Sequence, residues 1–128
     1  MPEFTPGLSA RVELTVSEAD TAQYIGSGDV PVLATPRVLA LAEAATVAAT
    51  ARQVPAGLTT VGVRAEVEHR APTPIGRRVT ALATLAKVDG RRLLFEVAVR
   101  DGETAVAEVR VERMILDRRR FIARALGD

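Results

Sequence analysis

Apolar residues dominate one stretch of the chain, residues 35–53 (TPRVLALAEAATVAATARQ), and Glu43 is the one charged residue of its interior. Alanine and leucine are strong helix formers, and Pro36 presets the backbone for a first helical turn. The pattern therefore predicts a helix over this stretch, with the hydroxyl of Thr35 as its N-terminal cap. Pro55 follows closely and cannot continue a helix. Because a helix that is apolar on every side is usually buried, we expect cover from all directions.

Alternating polar and apolar residues predict one strand before this helix and four strands after it. Residues 17–31 are rich in turn formers and predict a loop, which is a candidate lid over a pocket beside the helix. Asp89-Gly90 and Asp101-Gly102 predict tight hairpins, because glycine accepts the positive φ that such turns need. The predicted strands are 11–16, 59–71, 79–88, 93–100 and 104–116, and residues 117–126 (DRRRFIARAL) form a short basic helix or a tail.

This order of elements predicts an α+β fold, in which one long central helix is wrapped by a five-stranded, mostly antiparallel sheet. A length of 128 residues and an apolar content of 48% predict a single domain over residues 1–128. Five strands can hardly cover an apolar helix alone. We therefore expect a second subunit to cover the remainder, in a dimer at least.

Composition excludes several classes of function. A net charge of +1 gives no reason to expect nucleic-acid binding, and the absence of cysteine excludes disulfides, thiolate metal sites and a cysteine nucleophile. The first residues lack the basic start and apolar core of a signal peptide, and the long apolar stretch carries a carboxylate. We therefore expect a cytoplasmic protein without a membrane span. One histidine and one neighbouring glutamate are too few ligands for a metal site.

Three residues around the helix are able to do chemistry: Thr35 at its start, Glu43 two turns later, and His69 at the end of the next strand. A carboxylate in apolar surroundings is costly unless it is paired, hydrogen-bonded or protonated. Each residue also has a structural interpretation. Thr35 is explained as a cap, Glu43 as a partner of Arg37 or Arg52 or as an interface residue, and His69 as a hydrogen-bonded core residue.

The pattern resembles a known family. A strand, a long helix and four meandering strands are the layout of the hot-dog fold, and the chain resembles the fluoroacetyl-CoA thioesterase group of that superfamily over about residues 30–117. The matching features are Thr35, Glu43 eight positions later, Gly62 and His69 in VGVRAEVEH, the segment DGRRLLFEVAVRDG, and Glu112-Arg113.

The resemblance implies hydrolysis of an acyl-CoA thioester by a triad of Thr35, Glu43 and His69. Coenzyme A would enter as part of the substrate, with no separate cofactor. The resemblance also implies that Gly62 and Arg113 lie near the acyl pocket, and that the active unit is a homodimer with its sites at the subunit interface.

Elementary chemistry fits these roles and leaves alternatives open. Thioester hydrolysis needs a nucleophile or an activated water, and stabilisation of the carbonyl oxygen. Glu43 would serve as the nucleophile or as the base, and His69 would position water or protonate the leaving thiolate. Amides at the helix start offer an oxyanion site. A non-catalytic acyl-CoA binder and a hot-dog dehydratase or hydratase remain the alternatives, although Arg64 stands where a dehydratase would need an acid.

Two features of the sequence bear on the identity of the substrate: the aromatic content of the lid and the positions of the arginines. Fluoroacetyl-specific relatives carry phenylalanines in the lid, whereas Tyr24 is the only aromatic residue of the lid here. The acyl group therefore stays open, and the alanine-rich helix favours a small one. The phosphates of CoA need cations, and the guanidinium fork suits them. The candidates, which a solvated basic edge would also explain, are Arg77, Arg78, Arg118, Arg119 and Arg120.

Overall fold

The computed structural model describes residues 4–127, which form one antiparallel sheet and a long helix packed against it. The strand order is β1-β3-β4-β5-β2, which confirms the predicted α+β fold. The elements are β1 (Ser9–Thr15), α1 (Ala22–Ile25), α2 (Thr35–Thr50), β2 (Leu58–His69), β3 (Arg78–Asp89), β4 (Arg92–Asp101), β5 (Thr104–Asp117) and α3 (Arg118–Ala125).

The core lies between α2 and the inner face of the sheet. Alternate residues of β3 and β4 point inward and are buried, which confirms the alternation in the sequence. The two hairpins turn at Gly90, with a φ of 61°, and at Gly102, with a φ of 59°. These are left-handed conformations that glycine adopts without a steric cost.

The long helix α2 buries only one side in a single chain. Val38, Leu41 and Ala45 face the sheet and are buried, whereas Ala44 and Val47 on the other side are exposed. The sheet therefore covers only one face of the helix in a single chain, as expected, and cover of the other face by a second subunit stays a prediction. The helix also ends at Thr50 rather than at Gln53, and the residues that follow form a turn.

The start of α2 differs from the predicted cap. Ala34 is the capping residue, and its carbonyl oxygen accepts from the amides of Arg37 and Val38 at 3.0 Å each. Thr35 is already the first helical residue, and no side-chain hydrogen bond caps the start of the helix within residues 4–127. The prediction that Thr35 caps the helix is wrong, because its hydroxyl is hydrogen-bonded to another part of the chain.

Strand β2 forms one edge of the sheet. It pairs with β5 on one side and has no strand on its other side among residues 4–127. A register shift between Gly62 and Arg64 leaves Val63 as an extra residue, with 47% of its surface exposed. An open edge of this length presents unpaired backbone groups that are suited to pairing with another strand.

The predicted lid is a closed loop tied to the domain at its base. The amide of Ala22 donates to Val32 at 2.9 Å, and the amide of Leu33 donates to Thr73 at 2.9 Å. Arg37 of α2 holds the buried Asp20 through its Nε at 2.9 Å. Within the described residues, no helix combines the length and the apolar character that crossing a membrane requires.

Candidate active site

Thr35 and His69 meet at the first turn of α2. The Oγ1 of Thr35 lies 2.8 Å from the Nδ1 of His69, the last residue of β2. The other ring nitrogen, Nε2, is buried and has no hydrogen-bond partner among residues 4–127. Thr35 thus fixes the orientation of the imidazole through its contact with Nδ1.

A pocket of about 330 Å³ opens beside this pair. Its walls come from the lid, the start of α2 and the chain after β2, and they include small side chains such as Ala22, Ala34 and Ala71. Most of the other lining residues are apolar, and Ser27 and Arg70 add polar groups. A mostly apolar pocket with a few polar groups is suited to a small ligand.

Glu43 lies in a second cluster. Its Oε2 is 3.3 Å from the Nη1 of Arg113. Thr60 in turn fixes Arg113: the Nε of Arg113 donates to the Oγ1 of Thr60 at 3.1 Å, and the Nη2 donates to the backbone oxygen of Thr60 at 3.0 Å. Glu43 is therefore paired with Arg113, and the alternative that it pairs with Arg37 or Arg52 is wrong. Arg113 is buried, whereas the Glu43 side chain is 39% exposed. Burial lowers the pKa of Arg113, and the charge of Glu43 opposes this effect.

Gly62 lies directly against the Glu43 carboxylate. A β-carbon at this position would overlap Glu43 Oε2 and would lie 3.5 Å from Arg113 Nη1. Gly62 does not have a positive φ. The absence of a side chain is therefore needed for space beside Glu43 rather than for backbone conformation.

The two clusters are separate within one chain. Thr35 and Glu43 are eight residues apart on α2, about 12 Å along the helix axis. Gly62 and His69 are seven residues apart on β2, about 23 Å along the strand. The structure therefore joins Thr35 with His69, and Glu43 with Gly62 and Arg113, but it does not bring all three predicted catalytic residues together in one chain.

The candidate arginines for CoA fall into two groups. Arg77 is paired with Asp101 at 3.0 Å, and Arg78 with Glu13 at 3.7 Å. Arg118, Arg119 and Arg120 have no carboxylate within salt-bridge distance in the described part of the chain. Residues 4–127 also contain no cluster of three or more carboxylate or imidazole groups that could hold a metal ion.

Sequence reasoning did not find Thr60, which fixes Arg113 through two hydrogen bonds. A threonine in a strand is common because of its β propensity, so its identity gave no signal. Its role follows only from the pairing of β2 with β5, which brings it close to Arg113.

Solved structures with the same fold define the class of the protein. A variant of the fluoroacetyl-CoA-specific thioesterase FlK has a TM-score of 0.90 and 28% identity, covering 99% of this chain and 98% of that chain. A hot-dog-like protein from Thermanaerovibrio acidaminovorans has a TM-score of 0.89 and 27% identity, over 97% and 92%. A thioesterase superfamily member from Thermus thermophilus has a TM-score of 0.90 and 26% identity, over 99% and 96%. The fold is therefore the hot-dog fold.

Sequence comparison identifies the family within this class. Residues 16–119 match the family described as FlK, fluoroacetyl-CoA-specific thioesterase. The fluoroacetyl-CoA thioesterase of Streptantibioticus cattleyicolor is 36% identical over 93 residues, which are 73% of this chain and 67% of that protein. The chain belongs to the fluoroacetyl-CoA-specific thioesterase family and is a thioester hydrolase. The family resemblance in the sequence is confirmed.

The environment of His69 predicts a measurable pH dependence. Burial lowers the pKa of His69 below its ordinary value of 6.5, and the nearby backbone of Ala71 partly opposes this shift. The folded chain then binds fewer protons than the unfolded chain. The free energy of unfolding should rise with pH in the window that extends below pH 6.5, and this contribution should be lost as the pH falls through that window.

His69 is the only histidine, so a single imidazole resonance reports its titration in an NMR experiment. We expect a midpoint below 6.5 in the folded protein. His69→Gln should remove this part of the pH dependence of unfolding. A midpoint at or above the ordinary value would contradict the buried environment described for the ring.

Proposed function

We propose that the protein hydrolyses a small acyl-CoA to the free acid and CoA, with Thr35, Glu43 and His69 as its catalytic residues. Gly62 and Arg113 position Glu43 beside the acyl carbonyl. The environment of Glu43 is the observation that supports the proposal most strongly. The buried Arg113 contacts the Glu43 carboxylate, and Gly62 leaves space beside it. The Glu43 side chain is still partly exposed. A carboxylate that is held in place by one buried partner and is still partly exposed can reach a substrate.

A homodimer would complete the site. If β2 pairs antiparallel with β2 of a second copy, so that Gly62 lies opposite His69 of the partner subunit, Glu43 comes close to Thr35 and His69 of the partner subunit. Support for this arrangement comes from the open edge of β2 and from the exposed apolar face of α2 around Ala44 and Val47. Two-fold symmetry would then create two equivalent composite sites.

In the proposed reaction, Glu43 accepts a proton from water while the water oxygen attacks the thioester carbonyl carbon. The carbon–sulfur bond breaks, the leaving thiolate takes up a proton from His69, and the proton held by Glu43 then passes to His69, so that both side chains return to their starting state. In a second form, the Glu43 carboxylate attacks the carbonyl carbon and displaces the thiolate, and water then hydrolyses the resulting anhydride. The positive end of α2 at Thr35 would stabilise the developing oxyanion in both forms.

The size of the acyl group is part of the proposal. The pocket beside Thr35 and His69 has a volume of about 330 Å³ and small walls, which favours short acyl chains. In the fluoroacetyl-CoA thioesterase, a threonine-to-serine variant has been solved with acetyl-CoA. A cytoplasmic location suits a substrate built on coenzyme A and stays a prediction, as does the absence of a cofactor.

A panel of acyl-CoAs with a thiol reagent that detects free CoA tests the substrate. We expect acetyl-, propionyl- and butyryl-CoA to be hydrolysed with a kcat/KM about tenfold or more above that of palmitoyl-CoA, because a small pocket excludes long chains. Faster turnover of palmitoyl-CoA than of acetyl-CoA would contradict the small-acyl proposal. Binding of acyl-CoA by calorimetry without release of CoA would instead support the non-catalytic binder.

A further inference from the structure

A groove leads away from Glu43 along the second half of α2. It has a volume of about 370 Å³ and lies between α2, at Val47 and Thr50, and the first residues of β2, at Leu58 and Thr60. Thr60 is the residue that holds Arg113, so the groove begins at the Glu43 cluster. Arg118, the first residue of α3, also lines it. The groove therefore connects the proposed catalytic site with the basic helix α3.

A larger cavity of about 630 Å³ adjoins this groove, because Pro55 and Leu58 line both. Its apolar surface includes Phe4, Ile115 and Phe121. Three arginines line it as well, Arg91, Arg120 and Arg124, and we call it the arginine cavity.

The charges of the arginine cavity are unbalanced. Arg91, Arg120 and Arg124 have no carboxylate within 4.0 Å among residues 4–127. The one acidic residue lining the cavity, Asp117, accepts a hydrogen bond from the backbone amide of Arg120 at 2.9 Å and so caps α3. Guanidinium groups above an apolar surface favour a ligand that combines a flat ring with several negative charges.

We propose that the arginine cavity binds the 3′-phospho-ADP end of coenzyme A, and that the groove holds the pantetheine arm. This inference rests on the proposed function. Threonine hydroxyls and apolar side chains in the groove match an arm that alternates amides with methylene groups. The groove follows β2 from Thr60 to Leu58. Leu58 is four strand residues, about 13 Å, from Gly62, so the nucleotide lies well away from the thioester.

Only some of the arginines that the sequence offered as CoA-binding candidates lie at the proposed site. Arg77 and Arg78 are held in ion pairs and belong to neither the groove nor the arginine cavity. The groove is lined by Arg118, and the arginine cavity is lined by Arg120. The proposed site also includes Arg91 and Arg124, because the fold brings the β3–β4 hairpin next to α3.

A comparison of two thioesters tests the site during turnover. S-acetyl-N-acetylcysteamine carries the reacting group and part of the arm, but no nucleotide. In the double variant Arg120→Gln/Arg124→Gln, the ratio of kcat/KM for acetyl-CoA to kcat/KM for the short thioester should fall about tenfold or more, because charge-assisted contacts to phosphate are lost. Arg11→Gln is the control for the loss of a positive charge elsewhere, since it replaces one arginine of β1 at the opposite edge of the sheet.

A binding experiment separates this inference from the proposed function. Adenosine 3′,5′-bisphosphate should bind the wild-type protein about tenfold or more tightly than adenosine monophosphate in calorimetry, and Arg91→Gln as well as the double variant should weaken it. Nucleotide binding without any thioester hydrolysis would overturn the proposed function but not the site. Hydrolysis with an unchanged substrate ratio in the double variant, or an equal change in Arg11→Gln, would overturn the site.

Discussion

Replacement of Glu43 by glutamine is expected to lower kcat for a short acyl-CoA about a hundredfold or more, because the variant lacks the group that takes a proton or attacks the carbonyl. The shape of the side chain is kept. Its amide oxygen can still accept a hydrogen bond from Arg113, so the chain should remain folded. We expect a large loss of turnover together with a modest change in melting temperature.

Glu13→Gln is the matched control for this variant. Glu13 lies on β1 at the opposite edge of the sheet, is exposed, and forms a long contact of 3.7 Å with Arg78. Exposed pairs of this kind contribute little to stability, so the control should keep both turnover and melting temperature. Normal hydrolysis by a folded Glu43→Gln protein would contradict a catalytic role, and Glu43 would then be only the partner of Arg113.

Replacement of Gly62 by alanine should lower kcat to a similar extent without removing any reactive group. The added β-carbon would overlap Glu43 Oε2, so the carboxylate must move. A displacement of about 1 Å in a catalytic group typically costs about a hundredfold in rate. The backbone of Gly62 is not left-handed, so alanine fits the strand conformation itself.

Val63→Ala is the control for Gly62→Ala. Val63 is the adjacent residue, is exposed in one chain, and does not contact Glu43 through a hydrogen bond. A kcat for Gly62→Ala close to that of the wild type would show that the space beside Glu43 has no catalytic purpose. Circular dichroism and melting temperature show whether a loss of turnover comes from a displaced Glu43 carboxylate in a folded protein or from unfolding.

The fold could be predicted because its signals are local. The apolar stretch of α2, the alternation in β3 and β4, and the glycines of the two hairpins all act over a few residues, and the structure contains each of them. The end of α2 was predicted three residues too late. Helix ends depend on which backbone groups find other partners, and sequence shows this poorly.

The partners within the site could not be predicted in the same way. Thr35 has a sufficient local explanation as a cap, and its bond to His69 depends on a residue 34 positions away. Glu43 had nearby arginines as candidates, whereas its partner Arg113 is 70 positions away and faces Gly62 through the register of β2 and β5. Such contacts follow from strand pairing, which a single sequence does not reveal.

The composite site is tested most directly by mixing two inactive variants. Glu43→Gln and His69→Ala would each disable both sites of a homodimer. In a heterodimer, one site would join the intact Glu43 of one subunit with the intact His69 of the other, and the second site would carry both substitutions. After unfolding and refolding of an equal mixture, random pairing should restore about a quarter of wild-type turnover per chain.

Differential tags on the two variants allow the heterodimer to be isolated and its content measured before the assay. The account predicts that this heterodimer is active, although each parent alone is not. Turnover that stays at the level of the parents in a confirmed heterodimer would contradict a site shared between two subunits.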